Sequence, residues 1–231
     1  MSEWSRRSSG TLESVSRSPS EVSALRTSAI DTVVFDLGNV LIDWNPRYLF
    51  RKLYREEVAK MEHFLTEVCS SEWNECQDAG RPWEEGVAEA VARHPEHAEM
   101  IRAYHHRWEE MLGEPIQESI ELLDEVRRAG LRVLALTNWS HETFPVALQK
   151  FEFLSWFEGI VVSGHEKLIK PDPAIFRVLI SRYSIDPSRA VFIDDNIRNV
   201  AGAEQVGMRA LHFTSAVKLR SDLKELGVGV R

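Results

Sequence analysis

The sequence predicts an α/β protein in which helices cover both faces of a parallel β-sheet. Short, nearly continuous apolar runs alternate along the chain with amphipathic helical patterns, and this alternation is typical of βαβ units. The apolar runs lack the in–out pattern of strands with one wet face, which indicates strands buried on both sides. One long stretch after the first strand is helical only and indicates an insertion.

The β-strands are predicted at residues 31–36, 132–137, 160–163, 190–194 and 209–213. Helices are predicted between them, at residues 116–129, 141–150, 174–183 and 197–206. Gly130 and Gly207 stand where helices end, and Asp172 precedes Pro173 as an N-cap precedes a first turn. Together these elements predict a Rossmann-like core made of residues 29–45 and 114–231.

The inserted segment, residues 46–113, is predicted to be an all-helical cap with helices at 46–70, 82–93 and 96–112. It follows the first strand directly, so it would lie above the carboxyl edge of the sheet, where α/β proteins bind ligands. We therefore expect it to act as a lid. The turn at residues 77–83 (QDAGRPW) separates two helices of this segment.

Composition excludes several classes of protein. The 231 residues are 43% hydrophobic and carry a formal charge of −8, so a globular core is expected and nucleic acid is not an expected partner. No apolar run is long enough to span a bilayer, so no membrane partner is expected. Two cysteines without metal-ligand spacing indicate free thiols in a reducing, cytoplasmic setting. Residues 1–28, rich in Ser and Arg, predict a disordered tail.

Polar residues end four of the predicted strands or the loops that follow them: Asp36, Thr137 with Asn138, Lys170, and the pair Asp194 and Asp195. Parallel strands bring these ends to one edge of the sheet. Carboxylates about 4 Å apart repel by about 4 kcal/mol at an effective dielectric of 20, so the cluster requires a cation. Carboxylate and carbonyl oxygens suit Mg²⁺, which also recruits substrate phosphate.

The segments FDLGNV, LTN, IKPDP and FIDDN, in that order, resemble the four motifs of the haloacid dehalogenase-like (HAD) superfamily. The stretch DDNIRNVAGAEQVGMRAL is especially similar to the branch with helical caps, and the resemblance covers about residues 30–215. It implies a Mg²⁺-dependent phosphoric monoester hydrolase that acts on small phosphorylated metabolites through an aspartyl-phosphate. The FDLGN form is similar to a sub-branch that includes sugar-1-phosphate phosphatases.

The resemblance also implies a role for each matched residue. Asp36 would be the nucleophile, and Lys170 would stabilise it and the developing charge. Thr137 and Asn138 would hold the phosphoryl oxygens. The Mg²⁺ ligands would be Asp36, the Gly38 carbonyl and Asp195, with Asp194 either a further ligand or a residue that orients the others.

Position 38 departs from the family pattern. Phosphatases of this superfamily usually carry a second aspartate there as the acid and base, and such catalysis contributes about 10²–10⁴-fold. With Gly38 in its place, either the activity is low, or the leaving group needs little protonation, or another residue supplies the proton. In the cap, Asp78, His63 and Glu75 are the candidates for such a donor by residue type. Asp78 and Arg81 are also expected to bind substrate. An anomeric sugar phosphate, whose leaving group needs less protonation, is the expected substrate type.

Two alternatives remain open on the sequence. A 2-haloacid dehalogenase would use the same aspartate against carbon without a metal, and a binding or regulatory protein would keep the fold with a weakened site. A small phosphorylated molecule is the expected partner, and the chain is expected to be a monomer or a homodimer.

Overall fold

The computed structural model describes residues 29–231, so the predicted tail, residues 1–28, lies outside the described residues. Within residues 29–231, seven β-strands form two sheets. In chain order they are β1 (Thr32–Phe35), β2 (Ile42–Trp44), β3 (Leu112–Pro115), β4 (Arg132–Thr137), β5 (Gly159–Val162), β6 (Ala190–Asp194) and β7 (Arg209–His212). The main sheet has the order β5-β4-β1-β6-β7, and all its pairs are parallel. This confirms the predicted α/β class.

The five predicted strands are those of the main sheet, and their ends differ from the prediction by at most one residue. β1 is the central strand and is buried at every position. Its last residue, Phe35, stands beside Ala135 of β4 and Ile193 of β6. The residue that follows β1 therefore emerges between the ends of β4 and β6, which is the geometry that a site at this edge needs.

The helices of residues 46–113 are α1 (Arg47–Tyr54), α2 (Val58–His63), α3 (Ser71–Asp78), α4 (Trp83–Arg93) and α5 (Ala98–His106). A π-helical turn, Phe64–Val68, follows α2, and a 3₁₀ turn, Trp108–Met111, follows α5. The segment is helical, as predicted. Whether it is a separate cap domain stays a prediction, and we refer to residues 46–113 as the helical insert.

The single helix predicted over residues 46–70 is wrong, because the chain turns at residues 55–57. An unbroken helix would place residues 50 and 64 about 21 Å apart, whereas the rings of Phe50 and Phe64 lie 4.9 Å apart. Arg55, with φ of 53°, ends α1 in solvent. Residues 55–57 contain neither Gly nor Pro. The break arises instead from the packing of the two buried aromatic rings against each other.

Helix α3 and strands β2 and β3 were not predicted. Helix α3 begins at Ser71, and the side chain of its N-cap, Ser70, accepts a hydrogen bond from the Trp73 amide. Strands β2 and β3 pair antiparallel and bring the two ends of the helical insert together. The chain therefore enters and leaves the insert through two adjacent paired segments, at residues 42–44 and 112–115.

The remaining helices are α6 (Gln117–Arg128), α7 (Phe144–Lys150), α8 (Ser163–Glu166), α9 (Pro173–Tyr183), α10 (Ile197–Glu204) and α11 (Ala216–Glu225). The predicted N-cap is present, since the Asp172 carboxylate accepts a hydrogen bond from the Ala174 amide at 2.8 Å. Gly130 and Gly207 have φ of 82° and 87° after their helices. Helix α11 was not predicted. Across residues 29–231, no helix combines the length and apolar character needed to cross a bilayer.

Candidate active site

Asp36 is the first residue after β1, and its position is fixed by backbone contacts. Its amide donates to the Ile193 carbonyl at 2.8 Å, which continues the pairing of β1 with β6. Its Oδ1 accepts a hydrogen bond from the Leu37 amide at 2.7 Å. The residue is only 7% exposed. A buried carboxylate held in this way has a single orientation, towards the cavity above the strand ends.

Lys170 supplies a fully buried ammonium group at the centre of the site. Its Nζ lies 2.9 Å from Asp36 Oδ1 and 2.6 Å from Asp194 Oδ2. Asn138 holds the backbone of Lys170 from both sides: its Nδ2 donates to the Lys170 carbonyl at 3.0 Å, and its Oδ1 accepts from the Lys170 amide at 2.8 Å. The Asn138 side chain thus positions Lys170, a contact that the sequence did not indicate.

Asp194 is the inner residue of the aspartate pair. It is wholly buried, and Asn199 Nδ2 donates to its two oxygens at 3.0 and 3.1 Å. The Asn196 amide donates to Oδ1 at 2.8 Å. Asn196 and Asn199 were not among the predicted site residues. The only local signal was the N-cap position of Asn196, whose side chain accepts from the Arg198 amide at the start of α10.

Asp195 is the outer residue of the pair and lines the cavity. Burial, followed by repulsion from Asp194, raises the pKa of Asp195, and a hydrogen bond from the Asn39 side chain opposes the rise. His212 Nε2 lies 2.9 Å from its backbone carbonyl. The two neighbouring aspartates therefore have different surroundings: Asp194 is bonded within the protein and Asp195 faces the open space.

The charges at the site are poorly balanced. Burial raises the pKa of Asp36, Lys170 opposes this, and repulsion from Asp194 adds to it, so that the pKa reaches about 8. Burial also acts to lower the pKa of Lys170, but the two carboxylates it contacts outweigh this effect and raise it. A single ammonium thus faces three carboxyl groups, and the site favours an additional cation.

The donor set fits a hard divalent cation. One carboxylate oxygen from each of Asp36, Asp194 and Asp195 lies within 4.8 Å of the others. Gly38 lines the same space, and a Cβ added there would meet no atom within 4 Å. Oxygen ligands around an open position are the arrangement that suits Mg²⁺. This agrees with the acidic cluster expected from the sequence.

A cavity of about 610 Å³ lies above the strand ends, and the helical insert lines its other side. Asp36, Gly38 and Asp195 line it from the sheet side, and Asn74, Glu75 and Asp78 line it from α3. The aromatic residues Trp44, Tyr104, Trp108 and Trp139 also line it. The cavity thus combines charged residues at the sheet edge with polar and aromatic residues, which suits a small molecule with one anionic end.

The structure places the other predicted residues unequally. Thr137, the last residue of β4, is buried next to Asn138. Asp78 and Glu75 line the cavity, whereas His63 is exposed and does not. Arg81 also does not line it. Its guanidinium binds Gln77 Oε1 and Glu89 Oε2, both at 2.6 Å.

Arg81 faces away because two acceptors on the insert itself, on α3 and α4, already hold its guanidinium. Its pairing partner Glu89 is half exposed, so the interaction lies at the surface of the helical insert. The structure therefore does not bring Arg81 to the cavity, although it lies in the same turn as Asp78.

Comparison with known proteins agrees with this geometry. A model of the haloacid dehalogenase-like hydrolase family matches residues 30–207, which is most of the chain. The chain belongs to the haloacid dehalogenase-like hydrolase family. It is therefore an enzyme of the hydrolase class.

Two relatives illustrate the similarity of this HAD-like hydrolase to other proteins. It is 26% identical over 194 residues to the pyrophosphatase PpaX of Bacillus velezensis, covering 82% of this chain and 85% of that one. It is 27% identical over 200 residues to the drimenol cyclase drtB of Aspergillus calidoustus. That match covers 85% of this chain but only 36% of the cyclase, so the chain spans about a third of that relative.

Among solved structures, the HAD-like hydrolase is similar to a HAD family enzyme of Bacteroides thetaiotaomicron in complex with magnesium and inorganic phosphate. The TM-score is 0.60 at 20% sequence identity, and the match covers 80% of this chain and 95% of that one. At this identity the similarity shows a common fold.

Proposed function

We propose that this HAD-like hydrolase is a Mg²⁺-dependent phosphatase of small phosphorylated metabolites that works through an aspartyl-phosphate on Asp36. The observation that carries the proposal is the contact of the buried Asp36 carboxylate with the Lys170 ammonium at 2.9 Å, within a cluster of three carboxyl groups. A cluster of this kind below an enclosed cavity favours a substrate that arrives as an anion with a cation.

The relatives support the same chemistry. PpaX is named as a pyrophosphatase, and the Bacteroides enzyme was solved with magnesium and inorganic phosphate. Both names concern phosphate bonds, and neither identifies the organic part of the substrate for this chain.

Each residue has a step in the proposed reaction. One Asp36 oxygen attacks phosphorus, and the bond from phosphorus to the leaving oxygen breaks. Lys170, held by Asn138, keeps Asp36 oriented and stabilises the negative charge that develops on the phosphoryl group. The Thr137 hydroxyl donates to a phosphoryl oxygen. Water then attacks the phosphorus of the aspartyl-phosphate, which releases phosphate and restores Asp36.

Asp36, Asp195 and the Gly38 carbonyl would hold Mg²⁺, and Asp194 would orient this set through Lys170 and Asn199. When bound, the ion supplies positive charge that offsets the repulsion between the acidic cluster and a phosphate dianion. The carboxylate oxygens of Asp36 and Asp195 already lie within 4.8 Å of each other, which suits a shared hard cation.

A sugar phosphate is the substrate type that we favour. The cavity of about 610 Å³ has Asn74, Glu75 and Thr66 beside aromatic rings, a combination that suits hydroxyl groups on a ring with apolar faces.

The competing reaction is dehalogenation of a 2-haloacid. Its substrate carries a carboxylate, which three nearby carboxyl groups would repel in the absence of a metal ion. The geometry therefore favours phosphorus over carbon as the site of attack.

The test is release of phosphate from p-nitrophenyl phosphate and from glucose 1-phosphate, with Mg²⁺ and with a chelator. We expect turnover that requires Mg²⁺ and that Asp36→Asn lowers by at least about 10³-fold. Asp124→Asn, a matched change on the far surface of α6, should leave the rate unchanged. Halide release from 2-chloropropionate in chelator would identify a dehalogenase, and no turnover on either ester would refute the phosphatase assignment.

A further inference from the structure

We propose that Asp78 of the helical insert is the catalytic acid and base of this site, in place of the aspartate that the chain lacks at Gly38. The inference rests on the proposed phosphatase function. It follows from which carboxyl groups reach the cavity and from how the end of α3 is fixed to the sheet.

The open space at Gly38 defines the problem. Apart from Gly38 and its two chain neighbours, no residue has a heavy atom within 4 Å of the position that a Cβ would take there, so no side chain from elsewhere in the described residues occupies the place of the missing carboxyl. The proton for the leaving group must therefore come from the opposite wall of the cavity. Apart from the acidic cluster, three carboxyl residues line that cavity: Asp43, Glu75 and Asp78.

The surroundings of these three residues differ. Asp43, in β2, accepts a hydrogen bond from the Tyr48 hydroxyl. Glu75 lies one turn before the end of α3. Asp78 is the last residue of α3 and the one whose backbone is bonded directly to the catalytic edge of the sheet.

That bond comes from Ser163, which follows β5. The Ser163 hydroxyl donates to the Asp78 carbonyl at 2.6 Å, and it also accepts a hydrogen bond from the Trp139 amide at 2.8 Å. Trp139 is the second residue after β4. One serine hydroxyl thus ties the end of α3 to two strand ends of the main sheet.

The turn after Asp78 also packs closely against the residues that follow β4 and β5. Gly80 has φ of 95°, and a Cβ added there would lie 2.9 Å from the Gly164 carbonyl oxygen. Further along, the Trp83 amide donates to Glu142 Oε1 at 2.9 Å, and the Trp83 indole donates to Ser140 Oγ at 3.1 Å. These contacts fix the end of α3, and with it Asp78, to the edge of the main sheet where Asp36 lies.

The carboxyl group of Asp78 is oriented and electrostatically adapted for proton transfer. Asn74 Nδ2 donates to its Oδ2 at 2.9 Å. Burial raises the pKa of Asp78 to about 7, with the Ser140 amide opposing the rise, Glu75 adding to it and Lys170 opposing it. The buried Tyr104 hydroxyl also lies near it, and the Asp78 charge contributes to raising the pKa of Tyr104, although burial is the main cause. A carboxyl group that is partly protonated near neutral pH can both give and take a proton.

The proton balance closes over the two steps. When Asp36 attacks phosphorus and the P–O bond breaks, the leaving oxygen takes the proton of the Asp78 carboxyl and departs as an alcohol. In the second step water attacks the phosphorus of the aspartyl-phosphate, and its proton passes to the Asp78 carboxylate. Phosphate leaves, and Asp36 and the protonated Asp78 are restored.

The test compares leaving groups in Asp78→Asn, a change that keeps the size of the side chain. For an alkyl phosphate such as glycerol 1-phosphate, kcat/KM should fall by about 10²–10⁴-fold, because an alkoxide needs the proton. For p-nitrophenyl phosphate it should fall by less than about 10-fold, because nitrophenolate leaves without one. A burst of one nitrophenolate per enzyme should precede slow turnover, because the base for the second step is missing.

Two further variants separate a catalytic role from a structural one. Glu75→Gln, on the same helix and the same cavity wall, should lower kcat/KM for both esters equally and by less than about 10-fold. Adding Gly38→Asp to Asp78→Asn should restore most of the activity on glycerol 1-phosphate, because it places a carboxyl group in the open space beside Asp36.

Equal losses on both esters in Asp78→Asn, or no loss on either, would overturn the assignment of Asp78, as would the absence of rescue by Gly38→Asp in a folded double variant. These outcomes leave the proposed function intact, because it stands or falls on Mg²⁺-dependent turnover by the wild-type enzyme and its loss in Asp36→Asn.

Discussion

Replacing Lys170 with methionine should destabilise the protein strongly, and more at high pH than at low pH. The ammonium lies 2.9 Å from Asp36 and 2.6 Å from Asp194, and its side chain is fully buried. At an effective dielectric of 20, each contact is worth about 6 kcal/mol of Coulomb attraction. Desolvation of the three groups offsets much of this. Removing one partner of such a buried pair typically costs about 3–5 kcal/mol, which is the loss that we expect at pH 8.

The pH dependence follows from Asp36. Its pKa is already raised from 3.8 to about 8 by burial, and Lys170 is the largest influence that opposes the rise. Without Lys170 the pKa of Asp36 rises further. A carboxyl group with a raised pKa in the folded state contributes stability that is present below its unfolded pKa and is lost as pH rises through the folded value. Below about pH 8 Asp36 is protonated in both folded proteins, so the two lose stability in parallel. The penalty should therefore grow above about pH 8, where Asp36 ionises in the wild-type protein but not in the variant.

The assay is urea unfolding in the presence of a chelator at pH 6.5, 8 and 9.5, with the free energy of unfolding taken from each curve. Lys60→Met is the matched control, because the ion pair of Lys60 with Glu57 is exposed and such pairs contribute less than about 1 kcal/mol. Adding Asp194→Asn to Lys170→Met should recover part of the loss, since it removes one unpaired carboxylate. A loss below about 1 kcal/mol at pH 8, or a loss independent of pH, would refute the reasoning.

Two further predictions concern the junction of the helical insert with the sheet. Because the pKa of Asp78 is raised to about 7 by burial, the wild-type protein should lose about 2–4 kcal/mol of stability relative to Asp78→Asn between pH 4 and pH 7.5; parallel urea curves for the two proteins at every pH would contradict this. Gly80→Ala should cost at least about 1 kcal/mol more than Gly130→Ala, measured by urea unfolding. Both glycines have positive φ, which disfavours a side chain at either position, but only at Gly80 would the new Cβ lie 2.9 Å from a backbone oxygen. Equal losses of stability in the two variants would show that the turn does not pack against the sheet in this way.

Local patterns were sufficient for the main sheet. A strand covered on both faces reads as a short apolar run, so β1, β4 and β6 could be located from their own residues. Polar residues directly after such runs must emerge at one edge of a parallel sheet. The meeting of Asp36 with Asp194 and Asp195 therefore followed from strand ends alone.

Contacts between distant residues decided the helical insert. The reversal at residues 55–57 exists because Phe50 and Phe64 bury their rings against each other. No residue at the break is of a type that predicts the end of a helix. Strands β2 and β3 pair residues that lie about seventy positions apart in the chain. Pairing over such a distance depends on how the whole insert packs, which a local sequence pattern does not contain.

The same distinction applies to individual side chains at the site. Asp36, Lys170 and Asp78 could be selected from the sequence, because few residue types can act as a nucleophile, a fixed positive charge or a proton donor. Whether Arg81 or Asp78 of the same turn faces the cavity was decided by tertiary structure. Glu89, eight positions away, holds the Arg81 guanidinium, while Ser163 on the sheet holds the Asp78 backbone. Sequence by itself determined the carboxylates at the strand ends, and packing determined which residue of the insert stands above them, because that choice rests on partners far away in the chain.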